Sequence, residues 1–133
     1  MSQFILVANP VIENFPDYIQ LKNVSNDHFF SEVAKGVFSD FESPKLFTIV
    51  ASEKDFDQIF VDAQRDLIGG ALFEDTFLYK LLLVILRNSI GIALWYGSDS
   101  SDLNKVNNFE SFLNGVYEGL CESSVEAYVL FLK

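Results

Sequence analysis

Few residues in this chain are of a type that does chemistry. His28 is the single histidine and Cys121 the single cysteine, which excludes a histidine metal cluster, a His–His relay and an intrachain disulfide. His28 falls in the first turn of an expected helix, as a packed or surface residue. Cys121 falls at the margin of an apolar helical stripe, where a free thiol behaves as a small hydrophobe. The run Gly97-Ser98-Asp99-Ser100-Ser101-Asp102 lacks the second glycine of a nucleophile elbow and the Gly-Lys-Ser/Thr of a phosphate loop. It is not an EF-hand either, because Asn104 stands where that loop needs glycine, counting from Asp99. Asp99 and Asp102 are left as paired carboxylates that could meet a metal or simply make turns. With no dinucleotide fingerprint and no zinc spacing, the census points away from catalysis and from any cofactor or bound metal.

Carboxylates also recognise basic partners, and this chain is rich in them. It carries 19 Asp and Glu against 9 Lys and Arg, for a net charge of −10 and a pI near 4.3. That balance excludes direct nucleic-acid binding, which needs basic surface, and disfavours an anionic membrane. It favours long-range attraction to a basic protein, alongside the plain benefit of solubility for an apolar-rich chain. The acids concentrate in two places. Asp55, Asp62 and Asp66 recur at i, i+7 and i+11 on an expected helix, so they share one side of the cylinder, as a solvated face or a docking face. Asp99 and Asp102 sit in the polar loop 97–106, directly after Trp95-Tyr96. In an open α/β sheet, partners gather beyond the carboxyl ends of parallel strands, and rings bordering carboxylates make a recognition surface.

The elements that must position these groups follow from hydrophobic spacing. Residues 4–8 make a short strand ending at the Asn9-Pro10 turn, and 17–22 a possible second strand. A helix starts at Asn26-Asp27, with Phe29, Phe30, Val33, Val37, Phe38 and Phe41 as its buried stripe, and stops before Pro44. Residues 46–51 read as a buried strand. A second helix follows, with Ser52 as its cap, Asp55 at its third position, an inner face of Phe56, Ile59, Phe60, Ala63 and Leu67, and Gly69-Gly70 as its stop. Residues 72–86 favour a buried helix capped at Asp75-Thr76 over a hairpin strand, because leucines dominate without alternation. The clearest pattern closes the chain: strand 90–96, the polar loop, a helix over about 109–122 and a strand over 125–131. The stripe of that helix is Phe109, Phe112, Leu113, Val116, Tyr117 and Leu120. This succession implies that strands 90–96 and 125–131 run parallel through a right-handed crossover. The expectation is one α/β (α+β) domain over 1–133, with a mixed sheet of about four or five strands, helices packed on it, and a C-terminal right-handed βαβ unit. The longest apolar block, 81–86, falls far short of the roughly 20 residues that span a bilayer, and no secretory signal opens the chain.

The run Ile92-Ala93-Leu94-Trp95-Tyr96-Gly97, the acidic loop, Asn108-Phe109-Glu110-Ser111-Phe112-Leu113 and a closing strand together resemble small bacterial immunity proteins of contact-dependent inhibition and related polymorphic toxin systems. The resemblance covers about the last third of the chain. It implies a cytoplasmic protein that binds a cognate toxin domain, often a basic nuclease, and blocks it without catalysis. The residues expected to meet the toxin, Asp99, Asp102, Asp55, Asp62 and Asp66, come from the charge reading and not from the family. A secretion chaperone for an effector is the alternative, since such proteins are also small, acidic and α/β. A small-ligand-binding domain or cryptic enzyme comes third.

Overall fold

A computed structural model describes residues 3–38, 44–96, 104–106, 108–122 and 128–131. Seven strands form one sheet: β1 (Gln3–Ala8), β2 (Ile19–Asn23), β3 (Leu46–Ala51), β4 (Lys54–Asp55), β5 (Gly91–Tyr96), β6 (Asn104–Val106) and β7 (Tyr128–Phe131). Its order is β2-β3-β1-β5-β7-β6, with β4 paired on β3. Four α-helices accompany it: α1 (His28–Val37), α2 (Phe56–Ile68), α3 (Phe77–Arg87) and α4 (Phe109–Glu122). The fold is thus a mixed α+β sheet with helices packed on it.

β1 lies near the middle of the sheet because it is apolar on both faces: Ile5, Leu6, Val7 and Ala8 are all buried. Successive side chains of a strand point to opposite faces, and here they feed two separate cores. Ile5 and Val7, with Ile49, Ile92 and Leu94, pack beneath α2, α3 and α4. Leu6, Ala8, Leu46 and Ala93 pack beneath α1 through Ala34 and Phe38. The larger core takes the leucines of α3, whose Leu78, Leu81, Leu82, Ile85 and Leu86 are all buried. Residues 72–86 therefore resolve as a helix preceded by a short 3-10 turn, Phe73–Asp75.

The closing unit departs from its expected topology. β5 and β7 pair antiparallel, with Gly91 opposite Phe131 and Leu94 opposite Tyr128. The parallel partner of β7 is β6, with Asn104 opposite Tyr128 and Val106 opposite Leu130. The C-terminal βαβ unit is therefore β6-α4-β7, and β7 inserts between β5 and β6. Three residues, Asn-Lys-Val, show no alternation to read, so the sequence assigns 104–106 to the loop and makes β5 the first strand of the unit.

The start of α2 also differs. Ser52 is not its cap. Ser52 and Glu53 have φ of 51° and 63° and turn the chain back so that Lys54 pairs with Ala51 and Asp55 with Val50. Two central residues at positive φ are the pattern of a type I′ hairpin, which normally announces itself as Asn-Gly. Ser-Glu hides it.

Candidate functional site

The carboxylates expected to share one side of α2 are parted by this hairpin. Asp55 stands before the helix as its N-cap, its carboxylate accepting the Gln58 N–H at 2.9 Å. It lines a hollow of about 780 Å³ that also holds Phe30, Phe56, Asp57 and Lys22. Asp62 and Asp66 line a different hollow, of about 460 Å³, together with Phe77, Lys54 and Arg65.

Asp62 is already compensated there. Lys54 Nζ and Gln58 Nε2 each donate to it at 2.8 Å, and the Arg65 guanidinium reaches it at 3.5 Å. The lysine bond first, and the glutamine bond next, hold its carboxyl below the usual carboxylate range. An incoming cation would have to compete with two resident ones. Asp66 is exposed and takes part in none of the three ion pairs among the described residues. Of the three acids, Asp66 alone keeps its charge available to that hollow.

Asp99 and Asp102 lie outside the described residues. The backbone on either side does fix one point. β5 ends with Tyr96 opposite Gln3, and β3, antiparallel to β1, ends at that same end of the sheet, where α2 begins. β5 is not one of the parallel strands beyond whose ends partners gather, because both of its neighbours are antiparallel.

A third hollow, of about 460 Å³, escaped the sequence reading. It lies between the Phe73–Asp75 turn, the start of α3 and one side of α4, and is lined by Leu72, Phe73, Glu74, Tyr79, Glu110 and Tyr117 among others. Its rings touch: Phe73 lies 5.1 Å from Tyr79, edge to face, and 5.4 Å from Tyr117. Such pairs add about 0.5–1.5 kcal/mol beyond area burial, enough to order a surface cluster. Thr76 anchors the turn that carries Phe73 and Glu74. It caps α3 by accepting the Tyr79 N–H at 3.2 Å, and its hydroxyl donates to the Phe73 carbonyl at 2.7 Å. Asn108 caps α4 in the same way, accepting the Ser111 N–H at 2.9 Å, which sets the phase of Glu110 and Tyr117.

The expected stripe of α4 is correspondingly narrower. Phe112, Val116 and Leu120 are buried, while Phe109 and Tyr117 are 40% and 42% exposed. Tyr117 lies on the edge of the stripe, four residues before the exposed Cys121. A hydrogen bond with Cys121, and more weakly the Glu74 carboxylate, push the Tyr117 hydroxyl up, so it remains a neutral phenol. Cys121 is thus a surface thiol and not a packed hydrophobe. His28 belongs to the helix on the other face of the sheet, far from it in the fold. The signal available in the sequence is Leu72, two residues after Gly69-Gly70: a large apolar residue in a turn, here 60% exposed.

Among the described residues no group of three or more His, Cys, Asp and Glu could hold a metal ion, and no helix is long and apolar enough to cross a membrane. No protein-family model, curated protein or solved structure matches this chain.

Proposed function

We propose that this protein is an immunity protein: it binds a cognate bacterial toxin domain, a basic nuclease being the expected class, and neutralises it without catalysis through its acidic surface. The supporting observation is the third hollow. It joins two carboxylates, Glu74 and Glu110, to the exposed ring of Tyr117 and the half-buried rings of Phe73 and Tyr79, and no cation lines it among the described residues, whereas Lys22 lines the first hollow and Lys54 and Arg65 the second. Aromatic anchors with unpaired acids around them suit a basic protein partner, because rings supply contact area at low entropic cost while the acids select charge. The net charge of −10 adds long-range attraction and a fast encounter. Binding of this kind takes place in the cytoplasm, where the toxin would otherwise reach its substrate, and needs no cofactor.

The reading is tested by co-expression with the adjacent reading frame. That product is expected to arrest growth alone and to be harmless beside this protein. A product that is harmless alone, or that still kills in its presence, overturns the proposal.

A further inference from the structure

Net charge attracts a basic partner to the whole surface, but the third hollow has a more specific shape. Among the described residues its only charged lining groups are Glu74, from the turn before α3, and Glu110, from the first turn of α4. Neither takes part in an ion pair among the described residues. Phe73 and Tyr117 meet at an interplanar angle of 43°, so the pair presents ring surface without closing into a stack. Tyr117 and Leu72 remain 42% and 60% exposed, which leaves apolar area for a partner to cover.

We propose that this hollow receives an arginine side chain of the basic partner, its guanidinium against the ring of Tyr117 or Phe73 and its N–H groups donating to Glu74 and Glu110. This rests on the reading of a basic protein partner given above. Arginine fits better than lysine on chemical grounds. A guanidinium is planar and weakly hydrated, so it stacks on a ring while its fork donates in the ring plane to carboxylates; an ammonium is a compact, strongly hydrated point charge. Its three-carbon stem would lie along Leu72 and Leu113. Arginine and tyrosine are both enriched among interface hot spots. The two competing hollows offer a guanidinium less, because each already contains lysine or arginine.

The test uses two capped peptides, Gly-Arg-Gly-Arg-Gly-Arg-Gly and its lysine counterpart, titrated into the full chain while amide NMR shifts are followed. The arginine peptide is expected to move the amides of Phe73, Glu74, Leu113 and Tyr117, and to bind at least about threefold more tightly than the lysine peptide. Replacing both carboxylates, Glu74→Gln with Glu110→Gln, should weaken it at least about tenfold, and Tyr117→Ala should remove the preference for arginine. The pair Asp62→Asn with Asp66→Asn, in the second hollow beside the ion pairs of α2, should leave it unchanged. All the altered side chains except Asp62 are exposed, and a dispersed spectrum identifies folded variants. The proposal is overturned by equal binding of the two peptides, by shifts spread over all acidic positions, or by no binding. Shifts at the same amides that depend on protein concentration without peptide assign the hollow to a second copy and also overturn it. Failure here is separable from failure of the function: if the wild type protects cells from the adjacent product and the Glu74→Gln, Glu110→Gln, Tyr117→Ala triple variant protects equally, the arginine site is wrong while the immunity function stands.

Discussion

Thr76 is the position where the stability of the fold and the shape of the third hollow meet. It is the one buried polar side chain among the described residues with resolved burial, at 1% exposure. Thr76→Val keeps the shape of the side chain and removes only the hydroxyl. The Tyr79 N–H then loses its partner at the start of α3, a cap loss worth about 1 kcal/mol. The Phe73 carbonyl is affected less, because the backbone N–H of residue 76 still reaches it at 3.0 Å; losing the hydroxyl donor there costs roughly 0.5–1 kcal/mol. The sum is about 1.5–2 kcal/mol. For a chain of 133 residues the unfolding entropy makes each kcal/mol worth roughly 4 °C, so the melting temperature should fall by about 6–8 °C. Thr76→Ser is the control: it keeps both hydrogen bonds and loses one buried methyl, at about 1 kcal/mol. Urea unfolding at pH 7 measures both. Valine should be the more damaging, with an unchanged denaturant slope. A valine variant as stable as the wild type would show that the cap and the turn it anchors contribute nothing, and the argument for a pre-formed hollow would lose its support.

Further outcomes follow from the same contacts. Phe112 is completely buried at the centre of the α4 stripe, and Phe112→Ala should cost about 3–5 kcal/mol in urea unfolding; a loss under about 1 kcal/mol would mean α4 does not dock as described. Ser52 and Glu53 hold φ of 51° and 63°, so the pair Ser52→Asn with Glu53→Gly should raise stability by about 0.5–1 kcal/mol, and a lower melting temperature would refute the positive-φ turn. The carboxyl of Asp62 lies below its ordinary value, so its ion pairs stabilise the fold fully above the unfolded pKa, about 3.9, and that contribution is lost as pH falls through the lower folded value. With the partners largely exposed it should amount to less than about 1 kcal/mol, and Asp62→Asn should flatten the acid limb of a stability-against-pH curve; an identical limb in the variant would contradict the pairing. Cys121 is exposed and should take one equivalent of a thiol reagent in the native protein, whereas labelling only after unfolding would put that side of α4 inside a contact.

Periodicity sufficed for the large elements because burial and spacing agree in them. The stripes of α2 and α3 and the doubly apolar β1 and β3 carry their positions in residue type alone. The misplaced features are those where a short-range signal is weak or absent. β6 is three residues long with one apolar member, and whether β7 runs parallel to β5 or to β6 is decided by pairing across the sheet, not by any local pattern. The Ser52-Glu53 hairpin lacks the glycine that usually marks positive φ, so residue types alone put the cap at Ser52, three residues before Asp55. Asp55 precedes the helix as its cap, and the three acids line two hollows, in one of which Lys54 and Arg65 compensate Asp62. Glu74 and Glu110 are 36 positions apart in the chain, and only the docking of α4 beside the turn before α3 brings them to one hollow. No spacing rule could have joined them.

The most direct test of the account is the affinity between this protein and the purified product of the adjacent reading frame, measured by calorimetry at low and moderate salt. The account predicts a one-to-one complex whose affinity falls as salt rises, and which the paired reversal Glu74→Lys with Glu110→Lys weakens at least about a hundredfold while Asp62→Asn leaves it within about twofold, because the charges that matter are the uncompensated ones. A wild type that does not bind, or a charge-reversed variant that binds as tightly as the wild type, would contradict it.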